Sequence, residues 1–182
     1  MGLALTIFLI VILAIVVLGF LLPDKVHIAR STIIEAPAEK IFSHISNFDE
    51  WPKWSPWYQM DPNAQYEISG SHGSVGHRMA WVSEEQNVGS GSQEIIELDA
   101  PNIMTTQLNF GEMGGGKATF LLEPAGQATK VTWSLDTNMR EGVPVLRQPM
   151  ATFMGFFMEK FMDKPYTEGL AKLKTVAEDN QP

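Results

Sequence analysis

The 182-residue chain contains no cysteine. That absence excludes disulfide bonds, thiolate nucleophiles and cysteine-containing metal sites, but it does not indicate a cellular compartment. Positive charge is also scarce, with 13 Lys and Arg against 21 Asp and Glu, which gives a net charge of -8. A surface of that sign repels phosphate, so the sequence argues against nucleic acid as a partner and against a broad basic patch for anionic lipid.

The first part of the chain has no charge at all. No charged residue occurs from Leu3 to Leu22, and Pro23 and Asp24 end the apolar run as a helix stop would. About 20 residues at a helical rise of 1.5 Å span the roughly 30 Å hydrocarbon core of a bilayer. A cleaved signal peptide would begin with Lys or Arg and end in small residues, and a core helix in so small a domain would not be apolar on all sides. The sequence therefore predicts an uncleaved transmembrane helix.

The predicted anchor takes up residues 1–23, and residues 24–182 have the length of one domain with one hydrophobic core. Lys25 and Arg30 follow the apolar run, whereas only the α-amino group precedes it. The positive-inside rule then predicts a single-pass protein whose domain lies in the cytoplasm.

The rest of the chain changes from β patterning to helical patterning. Val26–Glu35 is rich in β-branched residues and predicts a first strand, and Pro37 predicts the first turn of a short helix. Three Trp and two Pro between residues 51 and 58 predict an ordered loop rather than a regular element. Helical spacing returns near Pro149. Six further strands, separated by turn residues, are predicted at Gln65–Ser69, Gly76–Ser83, Ser90–Leu98, Ile103–Phe110, Lys117–Glu123 and Thr129–Asn138.

Four stretches carry a resemblance to a known superfamily. They are Ile34–Phe42, Asn47–Trp57, Trp81 with Val88–Ser92, and Thr129–Ser134 with Gly169–Lys174. Over residues 27–178 the sequence resembles the START/Bet v 1-like (SRPBCC) superfamily, and within it the bacterial polyketide cyclase/dehydrase branch. The resemblance implies an α+β helix-grip fold, in which a curved antiparallel sheet of about seven strands wraps around a long C-terminal helix, with two short helices after the first strand. The N-terminal helix is an addition to that domain, and a bacterial source would place it in the inner membrane.

A helix-grip domain curls its sheet around the long helix and leaves a pocket between them, so the inward strand faces and the helix line it. Concave, mostly apolar sites of this kind are the usual place for a small ligand. The alternative is that the same side chains simply fill the core. The predicted ligand-binding residues on the strands are Trp81, Phe120, Leu122, Trp133 and Leu135.

The start of the last helix is rich in Met and Phe. Met recurs every four residues and Phe runs beside it, at Met150, Met154, Met158 and Met162 and at Phe153, Phe156, Phe157 and Phe161. Such a segment is apolar on too many sides for one buried face, so part of it must meet a cavity, a dimer partner or the bilayer surface. Methionine adapts its shape to varied apolar ligands. The predicted ligand-binding residues on this helix are Met150, Met154, Phe157 and Met158.

Few residues indicate chemistry. Gly111–Lys117 has the spacing of a phosphate-binding loop, but it lacks the following hydroxyl residue and lies between strands, so it predicts a flexible hairpin that could cover the pocket. The four His show no metal-ligand spacing, and the sequence predicts neither a metal site nor a cofactor. Acid–base chemistry would need an inward His77, Arg78, Glu94 or Glu97, and in a regular strand at most one of the two glutamates faces inward. We predict no catalytic residue.

These observations favour a membrane-tethered carrier or sensor of a hydrophobic or lipid-like small molecule, rather than an enzyme. One alternative is a cyclase, dehydratase or hydrolase that acts on an apolar substrate in the same pocket, and an inward-facing acid–base pair would favour it. Another is a protein-interaction module that docks through the Met/Phe segment, which the absence of a pocket would favour. The sequence names neither the ligand nor the oligomeric state.

Overall fold

An N-terminal helix precedes an α+β domain in the computed structural model, which describes residues 2–179. The helices are α1 (Gly2–Leu21), α2 (Ala38–Ser46), α3 (Pro56–Met60) and the long C-terminal α4 (Gln148–Glu178). The strands are β1 (Lys25–Ile34), β2 (Gln65–Ser69), β3 (Arg78–Val82), β4 (Gly91–Asp99), β5 (Ile103–Asn109), β6 (Gly115–Ala125) and β7 (Ala128–Asn138).

The described strands form one seven-stranded antiparallel sheet in the order β1-β7-β6-β5-β4-β3-β2. Strands β2 to β6 each pair with the next strand along the chain, because short connections favour hairpin neighbours. Strand β1 instead pairs with the last strand along its whole length, from Lys25 opposite Asn138 to Ile34 opposite Thr129. The curved antiparallel sheet, the helices after strand 1 and the long last helix confirm the predicted helix-grip fold.

Helix α4 packs against the inner face of this sheet. Its C-terminal half buries Tyr166, Leu170 and Leu173. The Tyr166 ring stacks on Trp133 of β7, with 4.1 Å between ring centroids. Gly169 permits the close approach, since a Cβ at that position would lie 3.0 Å from the Trp133 ring. The packing of this half of α4 therefore determines how far the helix stands from the sheet.

The Trp- and Pro-rich segment is more regular than its composition predicts. Phe48–Lys53 forms a 3-10 helix and is followed by α3, so the prediction of a loop without regular elements was wrong. Pro56 lies in the first turn of α3, where a backbone N–H would have no intrahelical partner in any case. Trp54 is fully buried, and its ring meets the ring of Phe120 edge-on with 5.9 Å between centroids.

Helix α1 carries no charged residue and is exposed along its length except at Gly19. By length and composition it is a candidate membrane span. Its end packs on the start of α4, where a Cβ at Gly19 would lie 2.7 Å from the Cβ of Pro149. Arg140 holds this junction, because its guanidinium donates to the carbonyl oxygens of Gly19 (3.1 Å) and Leu22 (2.7 Å) and to the hydroxyl of Thr152 (3.1 Å). A cation at the C-terminal end of a helix also complements the helix dipole.

Candidate functional site

A cavity of about 250 Å³ lies between the inner face of the sheet and α4. Its walls come from strands β2 to β7, from α3 and the turn before it, and from α4. Aromatic rings and Met side chains dominate, with a few uncharged polar groups between them. Among the described residues that line the cavity there is no Asp, Glu, Lys, Arg or His. An interior of this kind suits a ligand that is largely apolar and carries no charge.

Several predicted ligand-binding residues line this cavity. They are Trp81 on β3, Trp133 and Leu135 on β7, and Met158 on α4. Met162, one helical turn after Met158, lines it too. Trp133 and Leu135 alternate with residues of the outer face, so strand periodicity alone places them on the same wall.

Other predicted residues lie away from the cavity. Phe120 and Leu122 are buried in the core, and the Phe120 ring stacks on Trp133 with 4.8 Å between centroids. Met150, Met154 and Phe157 are on the outside of α4, with 72%, 49% and 58% of their surface exposed. The reason is geometric, because a step of four residues overshoots a 3.6-residue turn by about 40°. Successive Met therefore move around the helix, and only the later ones reach the cavity.

Some lining residues escaped the sequence-based prediction. Tyr58 in α3, Tyr66 in β2, Met79 in β3 and Gln93 in β4 all reach the cavity. For Gln93 a signal was available, since it shares a strand face with Ile95, which is fully buried. No comparable signal existed for Tyr58, because the Trp- and Pro-rich segment has no periodicity that shows which side chains turn inward.

Three polar atoms on the cavity wall have no hydrogen-bond partner within the described structure. They are the hydroxyl oxygen of Tyr66, Nε2 of Gln93 and Nε1 of Trp133. Gln93 and Trp133 are almost fully buried, with 4% and 3% of their surface exposed. Buried polar groups are nearly always paired, since an unpaired one costs about 1–3 kcal/mol. All three groups are able to donate and belong to residues that line the cavity, but the three atoms are themselves buried, so a ligand would reach them only after a small side-chain movement.

Burial determines the chemistry of the tyrosines on this wall. It raises the pKa of the Tyr58, Tyr66 and Tyr166 phenols above their ordinary value. These phenols therefore stay protonated at neutral pH and act as donors rather than as bases. Tyr58 donates to the sulfur of Met79 at 3.2 Å, and its ring stacks on Tyr66 with 3.9 Å between centroids.

The glutamates of β4 lie outside the cavity. Glu94 and Glu97 are both exposed, and the hydroxyl of Thr105 donates to Oε2 of Glu97 at 3.2 Å. The sequence predicts that at most one of the two glutamates faces inward in a regular strand, and neither does, because β4 is irregular between Ile95 and Glu97. The extra residue of this bulge, Ile96, returns Glu97 to the face that carries Glu94.

His77 is fully buried and is not part of the described cavity wall. Its Nε2 accepts the N–H of Phe48 at 3.3 Å, and its Nδ1 lies 3.1 Å from the carbonyl oxygen of Ser69. This pair of contacts fits a ring that donates from Nδ1 and accepts at Nε2. His77 therefore holds backbone segments together, while Arg78 is exposed on β3. Within residues 2–179, no group of three or more His, Asp or Glu is placed to hold a metal ion.

The rim of the cavity lies near the end of α1. Met113, in the turn between β5 and β6, lines the cavity although 72% of its surface is exposed, so it marks where the cavity reaches the surface. Its neighbour Glu112 pairs with Arg147, which directly precedes α4, with 2.7 Å between Oε2 and Nη1. Met139 also lines the cavity, one residue before the Arg140 that holds α1.

A sequence-family model described as "Polyketide cyclase / dehydrase and lipid transport" matches residues 25–178. The match covers the domain that contains the cavity and leaves out α1. No curated protein sequence matches this chain significantly.

Solved structures share the fold at low sequence identity. Protein CV1439 from Chromobacterium violaceum is 16% identical with a TM-score of 0.52, over 87% of this chain and 100% of that chain. A protein from Thermobifida fusca is 14% identical with a TM-score of 0.59, over 83% and 92%. The di-domain ARO/CYC StfQ from the steffimycin biosynthetic pathway is 10% identical with a TM-score of 0.62, over 85% of this chain and 51% of that chain. The chain thus spans about half of StfQ, and at these identities the likeness concerns the fold alone.

Proposed function

We propose that this chain, which belongs to the polyketide cyclase/dehydrase and lipid transport family, is a membrane-tethered carrier or sensor. It would hold a neutral apolar small molecule in its cavity. One observation carries the proposal: the described cavity wall is apolar or uncharged throughout, and its buried hydrogen-bond donors lack partners. The wall favours binding over acid–base catalysis, since no carboxylate, imidazole or amine is part of it.

The ligand should carry no charge. An ionised group inside this cavity would lose its hydration and find no counter-charge on the wall, which costs several kcal/mol or more. A fatty-acid carboxylate or a phosphate would therefore have to stay at the rim. The volume of about 250 Å³ is slightly below the roughly 300–1,000 Å³ of drug-sized pockets, so the ligand is small, or the flexible Met side chains move to make room for it.

The ligand should also carry hydrogen-bond acceptors. Tyr66, Gln93 and Trp133 each offer a donor that the protein itself does not use. A carbonyl or ether oxygen that reaches one of them would remove the penalty of that unpaired buried group, whereas a pure hydrocarbon would leave the penalty in place. We therefore assign the ligand to neutral apolar molecules with one or more oxygen acceptors, such as ketones, esters or quinone-like rings.

Helix α1 supports the tethered location in this proposal. Its 20 residues match the thickness of a bilayer core, and Arg140 adds a cation at its C-terminal end beside Lys25. By the positive-inside rule this end, and with it the domain, would lie in the cytoplasm at a bacterial inner membrane. A tether of this kind keeps the cavity close to a bilayer in which apolar molecules dissolve.

A second candidate function is a cyclase or dehydratase that acts on an apolar substrate in the same cavity. The description of the family favours it, as does the fold shared with an ARO/CYC protein. Protonated tyrosines on the wall could polarise a substrate carbonyl by donating to it, but their raised pKa makes them poor bases at neutral pH. Conversion of a bound ketone, rather than its return unchanged, would favour this candidate.

The test compares two probes of the same shape on the full-length chain in lipid nanodiscs. The probes are 2-acetylnaphthalene, a ketone, and 2-isopropenylnaphthalene, in which a CH₂ replaces the carbonyl oxygen. Quenching of the cavity tryptophans reports binding, and empty nanodiscs correct for partitioning into lipid. We expect tighter binding of the ketone, and we expect Gln93→Leu to weaken ketone binding about fivefold, equivalent to about 1 kcal/mol, without weakening hydrocarbon binding.

The matched control is Gln107→Leu, since Gln107 is exposed on the neighbouring strand β5 and should leave both affinities unchanged. Leu135→Trp places a large ring in the cavity and should abolish binding of both probes while the far-UV circular dichroism of the chain in detergent keeps its native shape. The proposal fails if neither probe binds the unmodified chain, or if Leu135→Trp binds them as well as the unmodified chain does.

A further inference from the structure

The N-terminal half of α4 presents large apolar side chains to the outside. Met150, Met154, Phe157 and Phe161 have 72%, 49%, 58% and 59% of their surface exposed. Their spacing of four, three and four residues places them on one helical face. We call these four residues the outward face. Leu146, four residues before the first of them, is 97% exposed.

The opposite side of the same half-helix is already in use. Met158 and Met162 line the cavity, Thr152 is buried against Arg140, and a Cβ at Gly155 would lie 3.1 Å from a methyl group of Val26. Rotation of the helix to bury the outward face within the domain would therefore break these contacts. An exposed row of two Met and two Phe on a soluble surface is unusual and points to a second apolar partner.

The end of α1 determines what lies next to this face. Gly19 packs closely on the first turns of α4, since a Cβ there would lie 2.7 Å from the Cβ of Pro149 and 3.1 Å from the ring of Phe153. Arg140 also ties the carbonyl oxygens of Gly19 and Leu22 to Thr152 of α4. The start of α4 is therefore level with the last turn of the apolar helix. If α1 spans a bilayer, that level is the boundary between hydrocarbon and headgroups.

We propose that the outward face, together with Leu146, lies in the interfacial layer of the bilayer that α1 spans. The inference rests on the membrane tether of the proposed function. With a net charge of -8 the contact has to be apolar rather than a basic patch on anionic lipid. Weak contact is sufficient, because the tether keeps the face beside the membrane and makes docking an intramolecular step.

This docking would bring the cavity rim to the lipid. Met113 on the rim and Met139 on the cavity wall are joined to the same end of the domain, the first through the Glu112–Arg147 ion pair and the second through its neighbour Arg140. A docked domain would therefore hold the cavity rim beside the headgroups. An apolar ligand could then pass between bilayer and cavity along a short path with little exposure to water.

The absence of cysteine makes the test direct, since one introduced thiol is the only site for a maleimide label. The full-length chain is labelled with a bimane dye at Met154→Cys, Ala171→Cys or Leu9→Cys and reconstituted in phosphatidylcholine vesicles. Ala171 is the matched control, because it is exposed on the C-terminal half of α4. Leu9 lies in α1 and reports separately whether that helix is in the membrane. Quenching by nitroxide-labelled lipid is compared with quenching by aqueous iodide.

We expect the ratio of lipid quenching to iodide quenching to be several-fold higher at position 154 than at position 171, and highest at position 9. Equal ratios at 154 and 171, with position 9 in lipid, would overturn this inference and leave the tether intact. A label at position 9 that iodide reaches would overturn the tether and this inference together. Protection of position 154 from both quenchers, with bismaleimide cross-linking of two copies at that position, would assign the outward face to a second copy of the chain and also overturn the inference. Binding of the naphthyl probes is measured independently of all these outcomes.

Discussion

The two halves of α4 follow the same sheet but carry different surfaces. In the C-terminal half the residues that face the sheet are buried, and they are Tyr166, Leu170, Leu173 and Ala177. The residues on the outer side are exposed and polar or small, and they are Lys164, Thr167, Glu168 and Ala171. In the N-terminal half both sides are apolar, with Met158 and Met162 at the cavity and the outward face exposed. Pro165 lies at the boundary between the halves.

The comparison separates stability from function within one helix. A helix with a single apolar stripe needs one partner, and the C-terminal half finds it in the core. A helix that is apolar on opposite sides needs two, and the N-terminal half has only the cavity side filled by the protein. We therefore expect substitutions in the C-terminal half to act on folding, and substitutions on the outward face to act on membrane contact.

The largest effect should come from Leu173→Ala, since Leu173 is fully buried. We expect it to lower the free energy of unfolding by about 2–5 kcal/mol. Met154→Ala removes a side chain of similar size from the outward face and should change that free energy by less than about 0.5 kcal/mol. Urea unfolding of the full-length chain, followed by tryptophan fluorescence, measures both. Similar losses for the two variants would remove the distinction between the halves.

A second comparison adds a charge to the outside of each half. Phe157→Asp should lower lipid-nitroxide quenching of a label at Met150→Cys several-fold, because a carboxylate resists transfer into the interfacial layer. Thr167→Asp adds the same charge to the exposed surface of the C-terminal half and should leave that quenching unchanged. An equal response to both charges would show that net charge, rather than the outward face, controls the contact.

Gln93 allows the binding role of the cavity to be separated from stability. Its Nε2 has no partner in the described structure, so Gln93→Leu should leave the ligand-free protein as stable as before, or more stable by up to about 1–2 kcal/mol. Gln107→Leu should instead destabilise slightly, because Nε2 of Gln107 donates to the carbonyl oxygens of Leu108 and Gly116 at 3.1 Å. Urea midpoints of the two variants test this order. A loss of stability in Gln93→Leu larger than in Gln107→Leu would mean that the Gln93 amide is a structural group.

The smallest predicted effect concerns pH and Glu178, near the end of α4. The backbone N–H of Glu35 donates to Oε1 of Glu178 at 2.6 Å, and Lys174 lies nearby, so the pKa of Glu178 is lowered from its ordinary value of 4.5. A lowered carboxyl pKa stabilises the fold above the unfolded pKa, and that contribution is lost as pH falls through the folded pKa. Glu178→Gln should therefore be slightly less stable than the unmodified chain at neutral pH, and this difference in stability should narrow as pH falls below 4.5 and through the lowered folded pKa. If the difference in stability between the two chains does not change with pH, its cause is the replacement of the carboxylate by an amide and not the titration of Glu178.

Local patterns account for most of the fold. The charge-free run predicts α1, because length and apolar composition suffice for a span. The alternation of Val131, Trp133 and Leu135 predicts one buried face of β7, and the spacing of Tyr166, Leu170 and Leu173 predicts the buried face of α4. These signals are periodic, so each can be recognised within a few residues of sequence.

The cavity is less predictable, because it depends on side chains that meet from distant elements. Trp133 and Leu135 follow from strand parity, but Tyr58 comes from a helix in a segment without apolar periodicity. A bulge at Ile96 also interrupts the alternation of inward and outward side chains along β4, so alternation alone does not predict which face Glu97 occupies. Where bulges and short helices form depends on packing against other parts of the fold, so the pattern of residues within one segment does not predict them.

The sequence by itself determined an apolar helix ahead of a helix-grip domain, the order of its strands and an excess of Met and Phe at the start of α4. Only the tertiary structure decided which of those Met and Phe side chains meet the cavity and which remain outside. Helix α4 is oriented by contacts far apart in sequence, among them the stacking of Tyr166 on Trp133 and the close approach of Gly169 to the same ring. Helical spacing tells which residues share a face, but the direction in which that face turns depends on what the rest of the fold brings against it.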